Sequence, residues 1–200
     1  MIMTIDHLFD EIGKSRTDKK THIIAIDGYG GSGKSMLADE LVSRNSSISV
    51  VRFDDFYNPD NHDSIPRLPR FDWRRLEKEV LKPIYHNINS KYQRYNWLTE
   101  KLDDWINVSI GGIIIIEGVY TMNLKLLNYY DYKIWVDCPL ETRLKRAKER
   151  DGGETMDKWL KEWIPAEDNY IKGEKPYLSA DMVIDGSGSK ADLTKGDIFV

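Results

Sequence analysis

Thr21-His22-Ile23-Ile24-Ala25-Ile26-Asp27-Gly28-Tyr29-Gly30-Gly31-Ser32-Gly33-Lys34-Ser35 is the stretch on which the reading of this chain turns. Ile23 to Ile26 form a continuous apolar run of strand length, as expected of a strand buried on both faces in a parallel sheet. Gly28 to Ser35 then fit G-x-x-x-x-G-K-S, and Met36, Leu37, Leu41 and Val42 recur at helical spacing to about Arg44. A glycine-rich turn between strand and helix lets successive backbone N–H groups converge on phosphate oxygens, and the helix N-terminus adds its dipole. Gly28, Gly30, Gly31, Ser32 and Gly33 would form that cradle, Lys34 would supply a point charge to the β and γ phosphates, and Ser35 would bind Mg²⁺ through its hydroxyl. The same residues also spell G-x-G-x-x-G through Gly28, Gly30 and Gly33, with Asp54 where a dinucleotide fold keeps its ribose-binding acid. Lys34 and Ser35 decide between the two: a triphosphate site needs both, and a dinucleotide loop needs neither.

Working outward, residues 5 to 14 fit a short amphipathic helix and Ile48 to Phe53 a second strand. Residues 58 to 71, with Pro59, Pro66 and Pro69, read as a long loop and a candidate substrate flap, since loops of this length are commonly functional. A helix is expected from Asp72 to about Ile88 and a short strand from Tyr92 to Trp97, while Leu98 to Trp105 has no clear period. Ile113 to Ile116 give the strongest buried-strand signal, ending on Glu117-Gly118. A short helix over Leu124 to Tyr130, a strand over Lys133 to Asp137 and a charged helix from Pro139 to Arg150, stopped by Gly152-Gly153, follow. A Trp-rich helix over Thr155 to Lys172, a strand at Met182 to Ile184 and a last edge at Ile198 to Val200 complete the chain. Strands alternating with helices indicate an α/β class with a parallel sheet. Residues 186 to 196 read as a mobile connection, and Thr194-Lys195-Gly196-Asp197 imitates a guanine-reading tetrapeptide but precedes a strand instead of following one.

The chain has 200 residues, 40% apolar and 31% charged, which suits one compact domain spanning residues 1 to 200. A net charge of −4 leaves no broad basic face for a nucleic-acid polymer. The single cysteine, Cys138, suits a reducing compartment, so a cytoplasmic protein is expected. The longest aliphatic run, Ile113 to Ile116, is far short of the ~20 residues that span a bilayer. His7, His22, His62 and His86 show no metal-ligand spacing.

In an open parallel sheet, ligands gather beyond the carboxyl ends of the strands, where Asp27, Asp54 and Glu117 fall. Glu117 follows four isoleucines, as an apolar strand delivers a carboxylate towards a metal or its water. Asp54 is the candidate base for a substrate hydroxyl, with its neighbour Asp55 an equal choice on position. Asp27, beside the phosphates, suits a structural or metal-water role. Arg143, Arg146 and Arg150 share one face of the charged helix, either as a solvated face or, given the Gly152-Gly153 hinge, as a moving lid over the transferring phosphoryl. Trp159 and Trp163 are expected to pack in the core.

Gly28 to Ser35, Phe53-Asp54-Asp55-Phe56-Tyr57, Phe71-Asp72-Trp73, Tyr95-Asn96-Trp97, Ile116-Glu117-Gly118 and Glu141 to Asp151 occur in the order found in the uridine kinase and phosphoribulokinase-like P-loop kinases, and over residues 22 to 186 the chain resembles that family. The resemblance implies a three-layer P-loop NTPase fold with a mostly parallel central sheet and a helical lid. It implies an ATP- and Mg²⁺-dependent kinase acting on a hydroxyl of a small molecule, a nucleoside such as uridine or cytidine in the first place, with no nucleic-acid polymer or membrane as partner; a homo-oligomer is compatible with it. Asp54, the first residue of the Asp-x-Phe-Tyr element, would be the base. Glu117 would serve the magnesium, Tyr57, Asp72 and Tyr95 would face the acceptor, and Arg143, Arg146 and Arg150 would belong to the lid, with Lys34 and Arg146 acting on the phosphoryl. Asp72 is equally well placed as a helix N-cap. Two positions depart from the family: Leu98-Thr99-Glu100 stands where a base-reading histidine is usual, and Asn96 replaces the usual Asp. Another alcohol acceptor, such as pantothenate, nicotinamide riboside or a sugar phosphate, therefore stays open, as do an ATPase or switch without acceptor and an NAD-dependent oxidoreductase.

Overall fold

The structure is a computed structural model and describes residues 2–14, 19–59, 70–188, 192 and 195–199. Its strands are β1 (Ile2–Thr4), β2 (Thr21–Gly28), β3 (Ile48–Arg52), β4 (Ser90–Asn96), β5 (Lys101–Val108), β6 (Gly112–Glu117), β7 (Tyr132–Asp137), β8 (Met182–Asp185) and β9 (Asp197–Phe199). The helices are α1 (Ile5–Lys14), α2 (Lys34–Arg44), α3 (Trp73–Leu76), α4 (Lys82–Tyr85), α5 (Leu140–Asp151), α6 (Met156–Lys158) and α7 (Ile164–Glu174). The main sheet has the order β1-β9-β8-β7-β2-β6-β3. β8, β7, β2, β6 and β3 run parallel, and β9 and β1 extend one edge antiparallel. β2 lies between β6 and β7, the middle one of the five parallel strands, which is why its apolar run is unbroken.

Alternate residues of the central strands supply two cores. Ile24, Ile26, Ile113 and Ile115 pack with Ile5 and Leu8 of α1 and Leu37 and Leu41 of α2. Ile23, Ala25, Ile114 and Ile116 pack on the other face with Leu76, Val80, Ile84, Tyr170 and Ile171. The result is the expected three-layer α/β fold with a mostly parallel sheet.

Several elements differ from their expected form. The segment expected as one helix after Asp72 contains a wide π-helical turn over Glu77–Leu81 between α3 and α4, and a second one spans Trp159–Trp163 ahead of α7. Each is followed within two residues by a proline, Pro83 and Pro165. Proline lacks the N–H for the i−4 bond and its ring crowds that carbonyl, so the preceding turn widens. Over Leu124 to Tyr130 only Leu127–Tyr129 is helical, as a 3-10 turn. The N–H of Leu124 donates to Glu174 Oε2 and that of Lys125 to Asn123 Oδ1, which draws both away from a helical ladder. The indistinct stretch after Trp97 is β5, paired antiparallel with β4 in a hairpin separate from the main sheet. The last edge strand lies at Asp197–Phe199, and β1, too short to show a period, pairs with it. Most of the expected flap, residues 60–69, lies outside the described residues, as do Thr194 and much of the 186–196 connection. No helix among the described residues is long and apolar enough to cross a membrane.

Candidate active site

The phosphate loop joins β2 to α2. Gly33, with φ 104°, caps α2 in the left-handed region that a side chain avoids. At Gly30 a Cβ would lie 2.6 Å from Glu167 Oε1 and 2.9 Å from a Trp159 ring carbon, so the backbone must be bare there. Lys34 is buried, and its Nζ donates to the carbonyl of Tyr29 at 2.7 Å. Ser35 Oγ donates to Glu117 Oε1 at 3.0 Å. Ser32 Oγ is buried and has no partner among the described residues. A cavity of about 620 Å³ opens beside the loop, lined by Gly31, Gly33, Lys34, Ser35, Arg146 and Arg150 among others. That volume suits a nucleotide-sized ligand.

Asp27, the last side chain before the loop, is fully buried and saturated. It accepts from the backbone N–H groups of Gly28 (2.6 Å), Tyr120 (3.1 Å) and Met122 (2.8 Å) and from the Tyr170 hydroxyl (2.7 Å). Burial pushes its pKa up to about 6 against the pull of those donors. Of the two roles open to it, the geometry is that of a structural acid tying β2 to the segment after β6 and to α7.

Asp54 and Asp55 follow β3 in a 3-10 turn, Phe53–Phe56, and the structure separates them. Asp55 Oδ2 accepts from the Tyr92 hydroxyl at 2.7 Å, anchoring the β4–β5 hairpin. The Asp54 side chain is exposed yet stands close to the charges of the loop. Crowding by protein, followed by the negative charge of Glu117, raises its pKa to about 6, while Lys34 and Arg150 pull the other way. Three residues on from Asp54, Tyr57 belongs to an aromatic cluster: its ring lies 4.5 Å from that of Trp97, 5.0 Å from that of Tyr95 and 5.5 Å from that of Phe71, centroid to centroid. The Asp72 carboxylate accepts from the Arg75 N–H at 3.0 Å, the N-cap role weighed for it. Asn96 is occupied in closing the hairpin turn, accepting from the N–H groups of Leu98 and Thr99 and donating to Asp103.

The three arginines of α5 share a face in sequence but not a setting. Arg143 is buried under the loop, its guanidinium 4.1 Å from the Tyr29 ring centroid and 3.4 Å from Glu167 Oε2. Arg146 donates to the carbonyls of Gly186 and Gly188, each at 2.7 Å, and more distantly to those of Gly31 and Ser32. Arg150 is exposed at the cavity wall. Trp159 is buried against Gly30, as core packing requires, but Trp163, whose ring it meets edge-on, is exposed, so only the first of the two expected core residues packs inside.

Two residues escaped the sequence reading. Glu167 of α7 is buried, accepts from the Gly30 N–H at 3.2 Å and ties that loop to Arg143. Burial raises its pKa, and Lys34 is the largest opposing influence. Arg52 closes β3 with Nη1 at 2.8 Å from Glu117 Oε1 and Nη2 at 2.7 Å from Asp39. Nothing in local spacing marks Glu167 among the acids of its helix, and Arg52 becomes legible only once β3 is known to pair with β6.

A family model described as "AAA domain" matches residues 24–168, from β2 into α7. The chain belongs to that AAA domain family. Among curated relatives of this AAA domain protein, the uridine kinase of Staphylococcus aureus strain JH9 is 26% identical over 189 residues, covering 86% of this chain and 90% of the relative. The uridine kinase of Ureaplasma parvum serovar 3 is 28% identical over 177 residues, covering 78% and 85%. Among solved structures, one named a possible uridine kinase from Bacillus stearothermophilus superposes with a TM-score of 0.71 at 22% identity, over 90% of this chain and 96% of the other. One assigned as a fructose transport system kinase from Silicibacter sp. TM1040 gives 0.62 at 21% identity, over 90% and 98%. Both structures speak for the fold. Together the matches uphold the resemblance to the uridine kinase-like P-loop kinases, and this AAA domain protein is kinase-like.

Proposed function

We propose that the protein is an ATP-dependent kinase that transfers the γ-phosphoryl group to a hydroxyl of a small molecule, with a nucleoside such as uridine or cytidine as the first acceptor. The observation that carries this reading is the placing of Asp54, an exposed carboxylate in the turn that follows β3, within the electrostatic reach of Lys34, Glu117 and Arg150. Tyr57, three residues on from Asp54, belongs to an aromatic cluster with Tyr95, Trp97 and Phe71, a surface that a simple ATPase or switch does not need.

The residues fit a magnesium nucleotide: the loop carries an orphaned Ser32 hydroxyl, Gly28 and Gly30 leave no room for a side chain, and Ser35 is already oriented by Glu117. No group of three or more His, Cys, Asp or Glu residues among the described ones could hold a metal by protein ligands alone. A P-loop magnesium is held instead by one hydroxyl, waters and phosphate oxygens. Ser35 would be its direct ligand here, with Glu117 behind it, and the ion would neutralise charge on the β and γ phosphates. Lys34 exchanges the Tyr29 carbonyl for phosphate oxygen. Asp54 takes the proton of the acceptor hydroxyl as that oxygen bonds to the γ phosphorus, the bond to the β-bridging oxygen breaks, and ADP leaves; the proton then passes from Asp54 to water. Arg150 balances charge from the cavity wall. Arg146 reaches the phosphoryl only by releasing the carbonyls of Gly186 and Gly188, and Arg143 supports the loop from beneath. Tyr57, Tyr95 and Asp72 border the acceptor.

A second reading, in which the acceptor is another small alcohol, draws on the hairpin. Asn96 is engaged by the turn, and Leu98 is 96% exposed at its tip, so the tip offers no polar side chain at those two positions to read a base edge. Incubation with Mg-ATP and a panel of nucleosides, pantothenate, nicotinamide riboside and sugar phosphates, following ADP, tests both. Acceptor-dependent ADP supports a kinase and names the alcohol, whereas equal ADP without acceptor overturns it in favour of an ATPase. Lys34→Ala should abolish transfer with the fold retained, and NAD binding unaffected by that change would revive the oxidoreductase.

A further inference from the structure

Arg52 and Glu117 are partners in the parallel register of β3 and β6, so the two strands end by setting a cation directly beside the carboxylate that faces the phosphate loop. Both Arg52 Nη1, at 2.8 Å, and Ser35 Oγ, at 3.0 Å, donate to the same oxygen, Glu117 Oε1. Glu117 is buried, which makes an unpaired negative charge there costly. Arg52 is more open, and its other nitrogen, Nη2, is held 2.7 Å from Asp39, which lies one helical turn beyond Ser35 on α2. The guanidinium thus bridges two acids at once, Glu117 on the metal side and Asp39 facing solvent.

We propose that Arg52 is an internal counter-ion of Glu117 that keeps a free divalent cation out of the loop, so that the metal enters only with the nucleotide's own phosphates. This rests on the reading of Ser35 and Glu117 as the magnesium-side pair. An arginine is permanently charged, so it opposes a second cation at every physiological pH. Phosphate oxygens bring enough negative charge to offset that opposition, and Asp39 then holds the displaced guanidinium. The carboxylate is neutralised in the empty protein without a metal, and the loop is left free for the metal–nucleotide complex.

Binding of Mn²⁺ alone to the full chain, followed by the loss of free-ion electron paramagnetic resonance signal, tests this without turnover. Arg52→Met should tighten Mn²⁺ binding about tenfold, as expected when a unit charge a few ångströms away is removed at a partly solvated site. Asp39→Asn should act in the opposite sense and weaken it, because Arg52 loses its second acid. Arg52→Lys, which keeps the charge, should stay close to wild type. Unchanged or weakened Mn²⁺ binding in folded Arg52→Met, or tightened binding in Asp39→Asn, would overturn the proposal. Should Arg52→Met not fold, the Asp39→Asn result decides alone. Titration of the wild-type and Lys34→Ala proteins with Mg-ADP keeps the two ideas apart. Nucleotide binding that depends on Lys34, together with an unresponsive Arg52→Met, removes only the counter-ion role, and no nucleotide binding removes the kinase reading itself.

Discussion

In the proposed reaction Asp54 is the residue at which proton transfer and pH meet. With a pKa raised to about 6, it is an ionised base above that value and a neutral acid below it. In the proposed reaction kcat/KM, which follows the free enzyme, should therefore fall as pH drops through about 6. Asp54→Asn should lose roughly 10²- to 10⁴-fold in kcat, the usual contribution of a positioned base, with ATP affinity kept and the acidic limb of the profile gone. Rate profiles with nucleotide titrations measure both. Asp27 carries the same raised value in a different setting, and its consequence is for stability. Its folded form holds a proton more tightly than the unfolded chain does. Its contribution is therefore fully present below the ordinary carboxylate range, about 4, and is lost as pH rises towards 6. Tyr170→Phe removes one of its four donors and should cost about 1.5–3 kcal/mol, seen as a lower Tm at neutral pH with the drop narrowing in acid.

Among the elements, the phosphate loop and α7 behave as one part, because Glu167 bonds the Gly30 backbone and Trp159 covers it. Gly30→Ala would force its methyl group against both and should destabilise the protein by about 1–3 kcal/mol while weakening nucleotide binding. Melting curves and nucleotide titration read the two effects separately. The loop, β2 and β6 were legible because each carries a purely local signature: a glycine pattern, or an apolar run that exists only where both strand faces are covered. β5 was not, since most of its side chains on both faces meet water and no alternation is imposed on them. Nor were the two wide turns before Pro83 and Pro165, where a local rule overrides an otherwise regular helical period. Asp54 and Asp55 could not be told apart until the partner of Asp55, Tyr92, was seen to arrive from a strand 37 residues away.

At the scale of the molecule, stability rests on two cores separated by one sheet, and Ile115 lies at the centre of one of them with no exposed surface. Ile115→Ala should cost about 2–5 kcal/mol, measurable by denaturant unfolding. Saturating Mg-ADP at ~100 times its Kd should return about 2.7 kcal/mol through linkage, and Lys34→Ala should abolish that gain. The order of strands was the part least readable from the chain, since pairing joins segments far apart in sequence; the Arg52–Glu117 contact depends wholly on it. The β4–β5 hairpin pairs outside the main sheet but is built into the core at its base, through Tyr92 on Asp55 and Phe56, the Arg75 guanidinium on the Gln93 carbonyl, and buried Val108. Its outer part is by contrast an interchangeable tip: on the proposed reading, a chimaera that exchanges the exposed residues 97–105 for those of a relative should inherit the donor's alcohol preference while the phosphate-handling framework goes on working unchanged.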